Sequence, residues 1–409
     1  MLKSNLLRHS KTKNNKKIYL DYAAGVKANP NSIHLLGIKA KEKLQNAHRG
    51  VADVLNCHKE EIIFTSGGTE SNNIAIQGVV LAFKEIKILG KKLPHIITTN
   101  IEHPSVLETF KLLGRRELTE ISIIPVEENG IIDPKKIKKE IKANTILVSI
   151  MYANNEIGTI QPIREIAKEI RHYRKEFRNS TRPTKVRLSQ NEGPTFAEYP
   201  VFHTDAVQAV NCLDLNIEKL GVDLLTLSGS KIEGAGRVGV LYKRKNTPLK
   251  NIFGGGDQEL GIRPGTENLP EILKFSSALE LAQRTKEKEV KRLIILRDYF
   301  FKKLLSFGFI ANGDLKDRLP NNINVTFPKI PSDLLVIELS SKGIMVSSKS
   351  ACKSSHKEGS YVIEALRKNS DIEIGGLRFS LGRNTAKKDI DYTTKVLAQI
   401  LNKLKKWYK

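Results

Sequence analysis

The sequence contains very few cysteines. Three occur among 409 residues, at positions 57, 212 and 352. Their wide spacing provides neither the C-x-x-C pair of a metal site nor an even set for a disulfide framework. Cysteine usage of this kind is typical of a reducing compartment, so we expect a cytoplasmic protein without a bound metal.

Long apolar runs are missing as well. No stretch reaches the length of a membrane span, and no apolar signal segment opens the chain, so we expect no membrane association. Residues 1–17 are rich in lysine and contain no acidic residue. We interpret them as a basic flexible tail, because like charges repel one another and the segment has no amphipathic period, with an organellar presequence as the alternative.

Acidic and aromatic residues are both scarce. There are 44 acidic residues against 68 basic ones, giving a net charge of +24, and aromatic residues make up 6% of the chain. An excess of this size attracts anions in general. Because basic runs are not interleaved with aromatic residues that could stack on bases, we attribute the charge to a lysine-rich surface and expect no direct nucleic-acid binding.

The apolar residues that are present follow two patterns. Between residues 61 and 242, seven short β-rich runs are mostly separated by helical stretches, which predicts a mainly parallel sheet covered by helices on both faces. From about residue 270, longer helices enclose two strand candidates, at 323–327 and 377–382. We therefore predict an α/β fold with a large domain over 18–268 and a smaller α+β domain over 269–409.

Two further segments carry predictions of their own. Residues 18–24, IYLDYAA, have the composition of a short strand. Residues 179–200 are rich in Ser, Thr, Pro and charge and exceed the usual length of a connection. We interpret 179–200 as an insertion in the large domain, with partner docking as a candidate role.

Polar residues follow the predicted strands where each strand ends, the edge at which open α/β sheets bind ligands. The first strand runs into SGGTESNN, where Gly68 and Thr69 open a helix whose amides favour phosphate, although a plain helix cap has the same appearance. Asp205 ends a later apolar strand, where a carboxylate needs a positive partner such as a protonated pyridine nitrogen; a helix cap is the equal alternative.

Lys231 lies three residues beyond the next strand. A lysine in such a place can lose its charge by desolvation and become a nucleophile towards an aldehyde. The hydroxyls of Ser228 and Ser230, just before it, suit phosphate oxygens. A solvated surface lysine is the alternative, but it does not explain why Asp205 and Lys231 end consecutive strands.

Nine short strings occur in a recognisable order: IYLDYAA, FTSGGTESNN, EHPSV, YANNEIG, HTDA, SGSK, GGGDQELGIRPGTEN, SSKSAC and RFSLGR. Their order and spacing resemble those of the cysteine desulfurases of the NifS and IscS type, class V aminotransferase-like enzymes that use pyridoxal 5′-phosphate (PLP). The resemblance runs from residue 18 to the C-terminus. It implies a homodimer with a large PLP-binding domain and a small C-terminal domain that carries a catalytic cysteine loop.

The resemblance also implies a role for individual residues. The cofactor-binding set is Gly68, Thr69, His103, Asn155, Asp205, Gln208, Ser228, Ser230, Lys231 and Thr266. Within it, Lys231 would carry the cofactor covalently, Asp205 would face the ring nitrogen and Gln208 the ring oxygen. His103 would stack on the ring and take part in catalysis, and Thr266 would reach the phosphate of the neighbouring subunit.

Substrate binding and sulfur transfer fall on three residues. Asn155 and Arg378 would bind the carboxylate of L-cysteine, a task suited to the guanidinium fork. Cys352 would take the sulfur as a persulfide and release L-alanine, and nearby basic side chains favour its thiolate. The persulfide would supply a sulfur-acceptor or iron–sulfur scaffold protein, for cluster assembly or tRNA thiolation.

The chain departs from the family pattern at three places. Between LDYAA and NPNSIH the chain has only residues 25–28, whereas the family has a longer turn and helix. Ser230 replaces the usual histidine. Lys349 replaces a glycine near the cysteine. Three other functions remain open on the sequence: a selenocysteine lyase, a class V aminotransferase, or a catalytically weak scaffold that binds a sulfur acceptor.

Overall fold

The structure is a computed structural model that describes residues 18–25, 28–85, 92–180, 199–348, 360–367 and 375–406. Several sequence predictions fall elsewhere. The basic tail at 1–17, the segment 349–359 that contains Cys352, and residues 181–198 of the predicted insertion lie outside the described residues.

The described chain forms two sheets. The strands are β1 Ile62–Thr65, β2 His95–Thr99, β3 Glu120–Ile124, β4 Thr145–Ser149, β5 Val201–Asp205, β6 Leu224–Ser228, β7 Gly239–Lys243, β8 Ile310–Ala311, β9 Asn322–Thr326 and β10 Leu377–Ser380. The large sheet has the order β1-β7-β6-β5-β4-β2-β3, and β7 alone among these seven strands runs in the opposite direction to the other six. The small sheet, β10-β9-β8, is antiparallel.

Helices connect and cover these strands. They are α1 Leu35–Leu55, α2 Gly68–Glu85, α3 Pro104–Arg115, α4 Pro134–Glu140, α5 Ile163–Ser180, α6 Ile217–Leu220, α7 Leu269–Leu304, α8 Ser332–Ser340, α9 Tyr361–Leu366 and α10 Lys387–Leu404. In α1 the predicted stripe is buried, with Leu44, Ala47 and Val51 in the core. The helix ends where Asn56 adopts a left-handed backbone with φ 56°.

The large sheet is covered on both faces, as the sequence predicted. Neighbouring residues of one strand enter different cores: Phe202 packs in one hydrophobic cluster and Val201 in another. Leu225 and Leu224 of the adjacent strand divide in the same way. Alternation with every position buried is the signature of a doubly covered parallel sheet, so the predicted α/β class is confirmed.

A single long helix joins the large and small cores. Helix α7 spans 36 residues; its first half places Phe275 in the core of the large sheet, and its second half places Phe300 against Phe379 of the small sheet. After the small sheet begins, α9 returns to the large core with Val362 and Ile363. The C-terminal part of the chain therefore contributes to both bodies.

The strand predicted for residues 18–24 is wrong. Residues 22–24 form a turn in which the Ala24 amide donates to the Asp21 carbonyl at 3.1 Å. The Tyr19 hydroxyl donates to the carbonyls of Asp21 and Gly25. These local bonds replace a sheet ladder, which a strand-like composition cannot form without a neighbouring edge. Strand β8, only two residues long, was not predicted.

None of the helices in the described part of the chain is both long enough and apolar enough to cross a membrane.

Candidate active site

A cavity of about 470 Å³ opens at the carboxyl edge of the large sheet, a size typical of small-molecule sites. The predicted residues that line it are Gly68, Thr69, His103, Asn155, Asp205, Gln208, Ser228, Ser230, Lys231 and Arg378. The structure thus brings together residues that are up to 310 positions apart in the chain. Thr266 does not line this cavity; it is exposed and borders a separate one beside Leu36 and Lys39.

One end of the cavity is suited to an anion. Helix α2 begins there at Gly68, so the free amides of its first turn face the site. A Cβ atom at Gly68 would lie 3.0 Å from Val207 Cγ2 and 3.4 Å from Ser228 Cβ, so a larger residue would fit there only tightly. The hydroxyls of Ser228 and Ser230 lie 3.0 Å apart on the same side. Together these groups offer the donors that a phosphate requires.

Asp205 ends β5 at the centre of the cavity and is almost fully buried. Its two carboxylate oxygens accept hydrogen bonds from Asn72 Nδ2 at 2.7 Å and from the Val207 amide at 3.0 Å. Both donors are neutral, so they fix the carboxylate without neutralising it. A buried carboxylate in this state favours a cationic ligand atom.

His103 caps the start of α3 beside Asp205. Its Nδ1 accepts a hydrogen bond from the Ser105 amide at 3.2 Å, so the neutral ring carries its proton on Nε2. Burial lowers the pKa of His103, and Lys231 lowers it further, while Asp205 opposes both effects. The imidazole is therefore held in a defined tautomer and in its neutral form.

Lys231 lies on a short 3₁₀ turn that follows β6. Its carbonyl accepts a hydrogen bond from Asn211 Nδ2 at 2.5 Å, which ties this turn to the segment after β5. The side chain is exposed. The turn carries Lys231 beyond the end of the sheet, so the residue lines the open cavity and is not buried by the apolar strand.

Arg378 reaches the cavity from β10 of the small sheet. Its Nη1 donates to the Asn155 carbonyl at 2.9 Å. The Nε of Arg378 and the Oδ1 of Asn155 are buried and have no partner in the structure. Burial lowers the pKa of Arg378, and the nearby Glu156 counteracts this. Unmet buried groups of this kind indicate a missing ligand.

Asn72, Ser105 and Glu102 are among the residues in or beside the site that were not predicted. Asn72 and Ser105 form a bridge, because Asn72 Nδ2 also lies 2.8 Å from the Ser105 hydroxyl. Asn72 is four residues beyond Gly68, so helical periodicity could have placed it on the face that lines the cavity. Glu102 is entirely buried; Thr99 Oγ1 and the Met151 amide donate to its Oε1, and burial raises its pKa to about 8.

Comparison with known proteins defines the class first. The chain matches the family model described as aminotransferase class-V over residues 10–176 and 197–393. This match covers most of the sequence, and the chain belongs to that family, whose members depend on PLP. The donor set of the cavity fits this cofactor, with a phosphate cradle at Gly68, a carboxylate for a ring nitrogen at Asp205 and a primary amine at Lys231.

Individual relatives narrow the class. The chain is 39% identical to a cysteine desulfurase IscS from Dictyoglomus turgidum, over 95% of this chain and 96% of the relative. It is 40% identical to one from Methanosarcina thermophila, over 92% and 86%. A solved structure of a NifS-like protein matches with a TM-score of 0.79 at 33% identity, over 92% of each chain. Within the class V family, the chain therefore groups with the IscS- and NifS-like cysteine desulfurases.

Proposed function

We propose that the protein uses PLP to convert L-cysteine to L-alanine and leaves the sulfur as a persulfide on Cys352. The observation that carries the proposal is the convergence of an amine, a buried carboxylate, a neutral imidazole and a guanidinium on one cavity. These groups belong to Lys231, Asp205, His103 and Arg378. A scaffold that merely binds another protein has no chemical need for this combination.

The cofactor would be held by the residues that fit its parts. Ser228, Ser230 and the first turn of α2 would bind the phosphate, and Lys231 would carry the aldehyde carbon covalently. Asp205 would keep a proton on the ring nitrogen, and Gln208 would contact the ring oxygen. When bound, the cofactor supplies an electron sink for charge that develops at the substrate α-carbon.

The substrate would be oriented by buried polar atoms that have no hydrogen-bond partner, on Arg378 of the small sheet and on Asn155 in the loop after β4. The Nε of Arg378 is a buried donor without a partner, and the Oδ1 of Asn155 is a buried acceptor without a partner. A carboxylate beside Arg378 would satisfy the guanidinium with charge-assisted hydrogen bonds. The substrate α-carbon would then face Lys231, whose free amine would accept the α-proton, while His103 would lie against the cofactor ring.

The described chain that leads towards Cys352 passes beside Arg378 of this cavity. Ser347 pairs with Arg378, with the Arg378 amide donating to the Ser347 carbonyl at 2.7 Å. Cys352 follows Ser347 by five residues, so their Cα atoms can be at most about 18 Å apart. Cys212 lines the cavity too, but burial raises the pKa of its thiol to about 12, which leaves it a poor nucleophile at neutral pH.

The sulfur transfer balances without a further oxidant. The Cys352 thiolate attacks the substrate sulfur, a sulfur–sulfur bond forms and the bond between sulfur and the β-carbon breaks. The carbon keeps the electron pair, takes up a proton and leaves as part of alanine. The terminal sulfur of the persulfide would then pass to an acceptor or scaffold protein, for iron–sulfur cluster assembly or tRNA thiolation in the cytoplasm.

The protein would act as a homodimer. Large apolar side chains near the start of the described chain are exposed, among them Leu20, Tyr22 and Ile33. An apolar surface of this kind suits a second copy of the chain. Thr266 is exposed beside the same region, which supports its predicted role at the phosphate of the neighbouring subunit.

The proposal is tested by reaction and by labelling. Purified protein is expected to absorb visible light and to yield alanine from L-cysteine, and borohydride is expected to fix the cofactor on Lys231. Lys231→Arg should abolish both the absorbance and the labelling, whereas Lys243→Arg, at the opposite edge of the sheet, should keep them. Peptide mapping that finds the label on another lysine would refute the assignment. If the protein converts selenocysteine but not cysteine, it is a selenocysteine lyase. If it transfers only the amino group, it is an aminotransferase.

A further inference from the structure

Helix α9 begins with two hydroxyls that contact the active-site loops. The Ser360 hydroxyl donates to Glu156 Oε2 at 2.5 Å, and the Tyr361 hydroxyl donates to the Glu102 carbonyl at 2.6 Å. Glu156 directly follows Asn155, and Glu102 directly precedes His103. Each hydroxyl therefore binds the residue next to a group that lines the cavity, although neither Ser360 nor Tyr361 lines it.

The helix that presents these hydroxyls is firmly held. Val362, Ile363 and Leu366 of α9 are buried in the core of the large sheet. Ser360 also caps the helix, because its side chain accepts a hydrogen bond from the Ile363 amide at 3.3 Å. A buried and capped helix is a rigid point of attachment, so its two hydroxyls fix whatever they bind.

The two loops are joined to each other by further contacts. Asn154 Nδ2 donates to the Ile101 carbonyl at 2.8 Å, and the Met151 amide donates to Glu102 Oε1 at 3.0 Å. On the other side, the Glu156 carbonyl accepts from Asn322 and Asn324 of the small sheet. The start of α9 thus closes a network that spans the loop after β2, the loop after β4 and the small sheet.

We infer that Ser360 and Tyr361 are positioning residues that set the separation of His103 from the Asn155–Arg378 pair. This inference rests on the proposed function, because the separation matters only if both groups act on one substrate. Tyr361 acts through the peptide unit that joins Glu102 to His103, on the side of the cofactor ring. Ser360 acts through Glu156, on the side of the substrate carboxylate, because the peptide unit that joins Asn155 to Glu156 accepts the hydrogen bond from Arg378 and Glu156 interacts electrostatically with Arg378.

The two hydroxyls therefore predict different kinetic effects. Tyr361→Phe is expected to lower kcat about tenfold with KM changed by no more than about twofold, since small displacements of a reacting group slow the chemical step. Ser360→Ala is expected to raise KM for L-cysteine about tenfold with a smaller change in kcat, because it loses a hydrogen bond to a charged group. Melting temperatures should fall by at most about 4 °C.

Two variants provide matched controls. Tyr392→Phe also removes a tyrosine hydroxyl that donates to a backbone carbonyl, that of Lys342, but on the small domain. Asn216→Ala also removes the cap of a short helix, where its side chain accepts from the Lys219 amide. Both should keep wild-type kcat and KM. If the variants of Ser360 and Tyr361 match these controls, the inference is overturned.

Hydrogen exchange tests the inference without turnover. In protein stripped of cofactor, Tyr361→Phe should speed amide exchange about tenfold over residues 101–107, and Ser360→Ala should do so over 154–158. Unchanged exchange in both regions would overturn the inference even if activity fell. A wild-type protein that makes no alanine from cysteine would refute the proposed function instead, and the exchange result would still decide whether the two hydroxyls hold the loops.

Discussion

The large sheet has a cavity at each end of its parallel strands, and the two cavities differ in how their polar groups are satisfied. The cavity at the amino edge is the larger, about 600 Å³ against about 470 Å³ at the carboxyl edge. It is lined by charged residues and a cysteine, including Cys57, Glu61, Arg174, Asp223 and Arg244. By volume and charge alone it would be the better candidate for a ligand site.

Its carboxylates, however, are already paired. Asp223 Oδ2 accepts from the Phe202 amide at 2.8 Å and from Arg174 Nη2 at 2.5 Å. Glu61 accepts from two backbone amides. At the carboxyl edge, Asn155 Oδ1, Asn72 Oδ1 and Arg378 Nε are buried without a partner. Because an unpaired buried polar group is costly, three such groups around one cavity favour the carboxyl edge as the ligand site over the larger cavity at the amino edge.

The largest effect is expected from substitution of Cys352, the cysteine proposed to receive the sulfur. Cys352→Ser should lose desulfuration by several orders of magnitude, because a hydroxyl is a far poorer nucleophile than a thiolate towards the substrate sulfur. The variant should still bind the cofactor and change its absorbance when L-cysteine is added. Alanine and persulfide are measured after a single turnover.

Cys57→Ser is the matched control for the amino-edge cavity. Burial raises the pKa of the Cys57 thiol to about 12, so this thiol is uncharged at neutral pH and has no part in the transfer. Turnover within about twofold of wild type is expected, since nothing in the chemistry depends on it. Undiminished sulfide release from Cys352→Ser would contradict the proposed mechanism.

Two aspartates sharpen the comparison further. Asp205→Ala should reduce kcat about 100-fold or more while the protein stays folded, since a fixed charge at the reacting centre is lost. Asp223→Ala should have the opposite profile, with kcat retained and the free energy of unfolding lowered by about 2–3 kcal/mol, because Arg174 loses its partner in a half-buried site. Both variants are measured by steady-state kinetics and by denaturant unfolding. A large loss of kcat in Asp223→Ala would contradict the division of roles between the two edges.

Glu102 predicts a smaller effect that depends on pH. Burial raises its pKa from 4.5 to about 8 in the folded protein, so the folded state holds the proton more tightly than the unfolded state. The contribution of Glu102 to stability is therefore complete below pH 4.5 and is lost as the pH rises through about 8. Glu102→Gln cannot ionise, so its stability relative to wild type should rise by about 1–3 kcal/mol between pH 5 and pH 9. A difference in melting temperature that is constant over this range would contradict the assignment.

The sequence predicted the edge of the sheet better than it predicted the contacts across it. Asp205 and Ser228 could be predicted as site residues because each ends an apolar run, and the carboxyl ends of parallel strands meet at one edge of the sheet. The bridge between Asn72 and Ser105 depends on how α2 packs against α3, which no local pattern encodes. The exposure of Lys231 follows from a turn whose direction is set by the tertiary structure.

The smallest effect is expected from the predicted insertion. Its described ends lie on the amino-edge side of the sheet: α5 ends at Ser180, and the Pro200 carbonyl accepts from Arg174, which also binds Asp223. Tyr199 packs edge-on against Phe83 at 5.3 Å, so it belongs to the core and should be retained.

Replacing residues 181–198 with a Gly/Ser linker of equal length should therefore leave kcat and KM for L-cysteine within about twofold of wild type, because the carboxyl-edge site shares no contact with the described ends. The reaction is measured with a small reductant, so that no acceptor protein is needed. A shortened linker that also removes Tyr199 provides the contrast, since losing a buried aromatic side chain should cost about 3–5 kcal/mol. If the equal-length linker itself lowers kcat, the two edges of the sheet are coupled through β5. The amino edge would then help to position Asp205 at the other end of that strand.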